Sequence, residues 1–186
     1  MQNKACVIIP ARFESSRFPG KPLKKILGKE MILWVSESCA KAVGKKNVFI
    51  ATNNHEISQI VNKNEFKTIM TSNKAQTGTD RVAEAALSLD YEIIINVQGD
   101  EPLVEPKDIK NCIKYKEAFP DKIINGFTFI KNPEDPNNIN IPKVVTNTND
   151  ELIYMSRKAI PGYKSIKNKP IKYKKQVCIY GFNKKD

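Results

Sequence analysis

The chain holds a single histidine, His55, and four scattered cysteines, Cys6, Cys39, Cys112 and Cys178, with no Cys-x-x-Cys pair among them. That scarcity argues against a zinc site of the usual ligand spacing and leaves reduced, mostly buried thiols as the reading of the cysteines. His55 reads as a polar residue at a helix start. No apolar run approaches the roughly 20 residues that a membrane-spanning helix needs. The opening MQNKACVIIPARF has neither the long apolar core nor the small-residue cleavage site of a signal peptide, so a cytoplasmic protein without a membrane partner is expected. The phosphate-binding pattern G-x-x-x-x-G-K-[S/T] is absent. So are a zinc finger, an RNP motif and any alternation of aromatic and basic residues, and no nucleic-acid partner is expected. A net charge of +11 would suit a polyanion, but the lysines are mostly dispersed, with one dense stretch, KSIKNKPIKYKK, from Lys164 to Lys175.

What is present reads as a soluble α/β protein. The 186 residues, 40% hydrophobic and 27% charged, suffice for one domain over 1–186 with a sizeable core. Apolar runs of strand length alternate with amphipathic helices. The runs are KACVIIP (4–10), NVFIAT (47–52), FKTIMTS (66–72) and EIIINV (92–97). Between and after them, EMILWVSESCAKAV spaces Ile32, Val35, Cys39 and Val43 by three or four, and HEISQIVNKN puts Ile57, Ile60 and Val61 on one face. TDRVAEAALSL is expected to open on Thr79 as N-cap with Asp80 in the first turn, and PKDIKNCIKYKEAF is again helical. Strands apolar at every position point to a mostly parallel, doubly wound sheet with helices on both faces. After Phe119 the rhythm breaks. INGFTFI, PKVVTN, ELIYMSR and KKQVCIYGF are strand candidates without comparable helices, around the polar loop KNPEDPNNINIP, so an antiparallel extension makes the sheet mixed.

Ligands of open α/β sheets bind beyond the carboxyl ends of the strands, and three clusters stand there. After the first strand, ARFESSRFPGKPL gathers Arg12, Arg17 and Lys21 on a loop stiffened by Pro19 and Pro22 and opened by Gly20. Forked and point-like cations of this kind suit phosphate oxygens; the same residues also make a solvated basic loop. After the third, TSNKAQTGTDR brings small hydroxyl residues and a glycine to a helix N-terminus, which is an anion site or ordinary capping. After the fourth, QGDEP offers Asp100 and Glu101 as Mg²⁺ ligands with Gln98 as a neutral partner, or simply a Gly-Asp turn. Taken together they are the equipment of a nucleotidyl transferase. Two other classes stay open, a folded but inactive nucleotide-binding remnant and a polyanion-binding protein.

IIPARFESSRFPGKPL, TGTDRVAEAA, NVQGDEP, PKVV and YMSRKAIP stand here in the order in which they occur in the CMP-Kdo synthetases (3-deoxy-manno-octulosonate cytidylyltransferases), which the chain resembles over nearly its whole length. The related sialic-acid cytidylyltransferases open on a loop more like ARxGSKxxxxKN. The resemblance implies a Rossmann-like, glycosyltransferase-A-like nucleotidyltransferase fold and a homodimer. It implies transfer of CMP from CTP to the anomeric hydroxyl of Kdo or another ulosonic acid, for lipopolysaccharide or other surface polysaccharide, with Mg²⁺ as cofactor. By the same resemblance Arg12, Arg17 and Lys21 hold the triphosphate and Pro10 and Ala11 also bind the nucleotide, with Arg12, Lys21 and Asp100 catalytic and Asp100 ligating the metal. Ser72, Thr77, Gly78 and Arg81 lie on the cytidine side, and Gln98, Ser156, Arg157 and Gln176 on the sugar side. Three features depart from the family. Asn53 stands in ATNN where an aspartate is usual, Lys175 and Gln176 replace an Arg-His pair, and no DTPxDL-like motif follows before Asp186. The chain is therefore expected to lack the family's C-terminal segment.

Overall fold

In the computed structural model of the chain, residues 4–14 and 18–186 are described. They divide into two compact units, one made of residues 1–124 with 178–186, the other of residues 125–177. In the first unit the strands are β1 (Ala5–Ala11), the two-residue strands β2 (Lys25–Ile26) and β3 (Lys29–Glu30), β4 (Val48–Thr52), β5 (Lys67–Met70) and β6 (Ile93–Val97). Its helices are α1 (Met31–Val43), α2 (His55–Lys63), α3 (Gly78–Ala86) and α4 (Pro106–Ala118). Strand β7 (Ile124–Phe129) leads into the second unit, which holds β8 (Lys143–Thr146) and β9 (Leu152–Ser156). Strand β10 (Lys174–Asn183) begins there and ends in the first unit.

The sheet of the first unit runs in the order β5-β4-β1-β6-β10. Strands β5, β4, β1 and β6 are parallel, and the end of β10 is antiparallel to β6 through Ile179↔Val97 to Asn183↔Ile93. The mixed, mostly parallel architecture and its antiparallel extension are thus as expected. Strands β4 and β6 are buried at every position and β1 at all but Ala5, because helices cover both faces. On one face Cys6 and Ile8 of β1 pack with Val82, Ala85 and Ala86 of α3. On the other, Ile9 and Ile32 of α1 lie together beneath Gly99, and α1 packs on α4. The edge strand β5 is only half buried and opens on the charged Lys67. Cys6, Cys39 and Cys112 are buried free thiols and Cys178 is half-buried. Burial pushes Cys6 and Cys112 up to about 12. No helix is long and apolar enough to cross a membrane among the described residues.

The chain lays β1, β4 and β5 outward on one side, then returns to place β6 on the other side of β1. That reversal is a topological switch point, where the loops leaving neighbouring strands part and form a crevice. Here it falls between β1 and β6. The β1–β6 ladder stops at Ile8↔Asn96, whereas the β1–β4 ladder continues to Ala11↔Thr52. Pro10, which has no N–H to give, lies in the stretch where only β4 still pairs.

In the second unit β8 is antiparallel to β9 and to the first residues of β10, and β7 pairs with β10. As expected, no α-helix comparable to those of the first unit separates these strands among the described residues; a single 3₁₀ turn, Ile166–Asn168, lies between β9 and β10.

Candidate active site

Three loops meet at the switch point. The loop leaving β1 returns on itself where the Gly20 N–H donates to the Phe13 carbonyl over 2.8 Å. Gly20 takes φ 66°, in the left-handed region, and a side chain there would press on the Phe13 ring. The 3₁₀ turn Lys21–Leu23 follows. Lys21 Nζ reaches Asp100 Oδ2 at 2.6 Å, joining the loop after β1 to the loop after β6. Arg12 is exposed, with Nη1 donating to the Gln76 carbonyl at 3.4 Å, in the loop before α3. Arg17 lies outside the described residues. The Gln98-to-Asp100 backbone follows β6 directly. Glu101 N–H donates to the Gln98 carbonyl at 3.2 Å, so the Gly-Asp turn is present as well as the carboxylate.

Close approaches bind the loops further. A Cβ on Gly99 would lie 2.9 Å from the Pro10 carbonyl oxygen, so only glycine fits where the turn after β6 crosses the end of β1. Gly78, the first residue of α3, is packed so that a Cβ would meet the Gln98 amide at 3.0–3.2 Å and the Pro10 ring at 3.3 Å. Pro10 at the end of β1, Gly78 at the start of α3 and Gln98 after β6 are therefore neighbours.

Helix α3 begins two residues earlier than the sequence suggested. Its N-cap is Thr77, not Thr79. Asp80 N–H donates to Thr77 Oγ1 at 3.1 Å, and Thr77 N–H donates back to Asp80 Oδ2 at 2.8 Å. This is a reciprocal capping box, and the backbone donor at Thr77 holds the Asp80 carboxyl below its ordinary range. Thr79 cannot compete, because the exchange needs an acid three residues on: Asp80 Oδ2 accepts from the Thr77 N–H while Thr77 Oγ1 accepts from the Asp80 N–H.

The other residues expected to bind the nucleotide are engaged within the protein. Ser72 donates from its backbone N–H and its hydroxyl to the Glu84 carboxylate, at 2.6 and 2.9 Å. Arg81 is only 4% exposed. Its guanidinium donates to Thr71 Oγ1 and weakly to the Ser72 carbonyl. Burial, offset by Glu84 and reinforced by the charge of Arg12, lowers its pKa. Ala11 is the buried end of β1. Gln98 Nε2 donates to Asn96 Oδ1 at 3.2 Å, and the buried Asn96 Nδ2 has no partner among the described residues.

Ser156, Arg157 and Gln176 belong to the second unit. Ser156 Oγ accepts from Lys158 N–H at 3.0 Å. Arg157 Nη1 donates to the carbonyls of Asn140 at 3.1 Å and Ile139 at 3.4 Å. The backbone N–H of Gln176 donates to Pro142 O at 3.0 Å. Lys175 pairs with Glu134, and Asn53 Nδ2 donates to Asn73 Oδ1 at 2.7 Å. The fully buried Lys143 gives Nζ hydrogen bonds to the carbonyls of Asn138, Ile141 and Arg157, and burial is the first cause of its lowered pKa.

Sequence reasoning did not single out Glu84, Asn96, Gly99 or Lys143. Asn96 carried a signal, as the one polar residue inside the apolar IIINV. Lys143, a charge preceding the apolar Val144 and Val145, carried another. Glu84 carried none, because an acidic residue on an exposed helix face is ordinary.

Asp100 is a half-exposed carboxylate at this site, with Glu101 next to it in the chain. Among the described residues no group of three or more His, Cys, Asp or Glu gathers around a point. A single carboxylate fits Mg²⁺, which keeps several waters and completes its shell with substrate phosphates rather than with a protein cage.

Comparison with known proteins adds three findings. The profile of the cytidylyltransferase family matches residues 6–186. The 3-deoxy-manno-octulosonate cytidylyltransferase of Escherichia coli is 35% identical over 98% of this chain and 73% of its own length. That of Geobacter metallireducens is 42% identical over 87% of this chain and 64% of its own. An 8-amino-3,8-dideoxy-manno-octulosonate cytidylyltransferase of Shewanella baltica is 36% identical over 96% and 74%. Among solved structures, a CMP:2-keto-3-deoxy-manno-octonic acid synthetase complexed with CTP superposes with a TM-score of 0.88 at 36% identity, over 98% of this chain and 75% of that one. The chain thus spans between 64% and 75% of the length of these relatives.

Proposed function

We propose that this chain, which belongs to the cytidylyltransferase family, transfers CMP from CTP to the anomeric hydroxyl of 3-deoxy-manno-octulosonate or a close analogue, releasing pyrophosphate. The observation that carries the reading is the meeting of three loops at the β1–β6 switch point, with Lys21 and Asp100 joined across it at 2.6 Å. The hydroxyl oxygen attacks the α-phosphorus. The bond from that phosphorus to the bridging oxygen breaks, pyrophosphate leaves with the bonding pair, and the hydroxyl releases its proton to solvent water.

The chain's own contribution is charge and position. Arg12 and Lys21 bring fixed positive charge to the β- and γ-phosphates, where negative charge builds as pyrophosphate departs. Lys21 gives up Asp100 when phosphate oxygens arrive. Asp100 would hold Mg²⁺, which would supply positive charge for the phosphates and lower the pKa of the attacking hydroxyl. Without a cation beside it, that carboxylate repels the nucleotide. In this reading the triphosphate lies toward the loop after β1, where Lys21 stands, and the sugar toward Gln98. Ser156, Arg157 and Gln176 are the sugar-side residues of this proposal. A homodimeric assembly, which rests on the family resemblance alone, and a cytoplasmic location, which rests on the opening sequence, are part of it too.

Relatives named for the 8-amino sugar match as well as some of those named for the hydroxyl sugar, so both acids belong in the test. Phosphorus NMR of CTP with each acid should show pyrophosphate and a new CMP–sugar phosphodiester resonance. CTP that stays intact with every ulosonic acid tried would leave only a nucleotide-binding remnant.

A further inference from the structure

The positive charge of this protein is localised. Residues 152–177 hold eight basic side chains and no acidic one, and the other 160 residues hold 23 basic against 20 acidic. So eight of the eleven net charges sit in 26 residues. Coding bias toward lysine would not by itself empty the segment of carboxylates. Within it Lys174 and Lys175 are spent on Asp150 and Glu134, and Arg157 on backbone carbonyls. Lys164, Lys167, Lys169 and Lys172 are exposed and have no ion pair among the described residues.

The same segment shows aliphatic side chains to water. Ile171 is 98% exposed and Ile166 72%. They are held on formed backbone. Ser165 accepts from Lys167 N–H, Asn168 N–H donates to the Ser165 carbonyl, and Lys169 N–H donates to the Ile166 carbonyl. The far end is pinned where Ile130 N–H donates to the carbonyl of the buried Tyr173 at 2.8 Å.

From this combination we infer that the segment Lys164–Lys172 docks the protein on an anionic phospholipid surface. Lysines near such a surface are drawn to its headgroup phosphates, and exposed aliphatic side chains between them enter the headgroup–acyl boundary. A single-stranded nucleic acid would call instead for stacking aromatics and arginine, and it has no use for isoleucine. The absence of a spanning helix bears on crossing the bilayer, not on lying against it. The inference is independent of the transfer reaction, since none of these side chains is placed in its machinery.

Co-sedimentation of the whole chain with vesicles tests it. The protein should pellet with phosphatidylglycerol–phosphatidylcholine vesicles and stay in solution with phosphatidylcholine alone. Each lysine adds about fivefold to such partitioning, so replacing Lys164, Lys167 and Lys169 by Gln should weaken it by about a hundredfold. Ile166→Ser with Ile171→Ser should weaken it too, with the melting temperature of the parent. Equal partitioning onto both vesicles, or onto neither, overturns the inference. So does an isoleucine variant that binds like the parent while polyuridylate competes fully, because the segment is then a general polyanion surface.

Discussion

Asp100 and Lys21 touch at 2.6 Å with both side chains well exposed to water. An exposed pair of this kind is worth about 0–1 kcal/mol, so it adds little to the fold and is cheaply opened. Asp100→Asn should therefore fold like the parent. CTP affinity in the parent should rise steeply with Mg²⁺, and in the variant it should scarcely respond; titration calorimetry with and without Mg²⁺ reads both. A variant whose affinity still climbs with Mg²⁺ as the parent's does would remove Asp100 from the metal. Lys143 is the opposite case. Its ammonium is fully buried, and all three of its hydrogen bonds end on backbone carbonyls, one of them that of Arg157. Lys143→Met keeps the bulk and strips the donors, at a cost of about 2 kcal/mol, moderated because water can reach part of the freed carbonyls. Because the Arg157 backbone is held through that carbonyl, and Arg157 is a sugar-side residue in the function proposed above, the variant is expected to raise KM for the sugar acid and leave KM for CTP unchanged. Equal rises in both would make Lys143 a matter of general stability.

At the scale of elements, the strongest local device is the capping box at the start of α3. Thr77→Ala should cost about 1 kcal/mol in thermal or urea unfolding. The Asp80 half of the box depends on pH. The pKa of Asp80 is depressed in the fold, first by the Thr77 backbone N–H. Its contribution is therefore complete above the ordinary carboxylate range and is lost as pH falls through the depressed value. Asp80→Asn should lower stability at neutral pH and flatten the acid side of the melting profile; identical acid slopes in both proteins would contradict the box. The strands and helices themselves were legible because their periodicities are strong. β1, β4 and β6 are apolar at nearly every position, and α1 and α2 repeat every three or four residues. The helix start was misplaced because QTGTD offers two threonines, and which one caps is decided by the acid three residues on. The partners that tie up Ser72 and Arg81 were not legible, because Glu84 and Thr71 meet them only after α3 folds back against the residues that follow β5.

At the scale of the whole chain, the site exists because of strand order rather than of any one motif. The sequence shows four parallel strand candidates but not that β6 returns to the far side of β1; long-range pairing decides that, and with it the crevice into which Arg12, Lys21, Gln98 and Asp100 are gathered. The motifs were readable in advance because each must stand one step past a strand end. Their mutual contacts were not, since Gly78 against Gln98 and Gly99 against Pro10 join residues far apart in the chain. The central claim is that this crevice is built for CTP. A ligand that binds only the native state raises the melting temperature in proportion to the logarithm of its concentration over its dissociation constant. The direct measurement is therefore the melting temperature with each of CTP, UTP, ATP and GTP at one concentration in the presence of Mg²⁺. The account predicts a clearly larger rise with CTP than with the other three. Equal rises with all four would reduce the crevice to a general triphosphate site and contradict it.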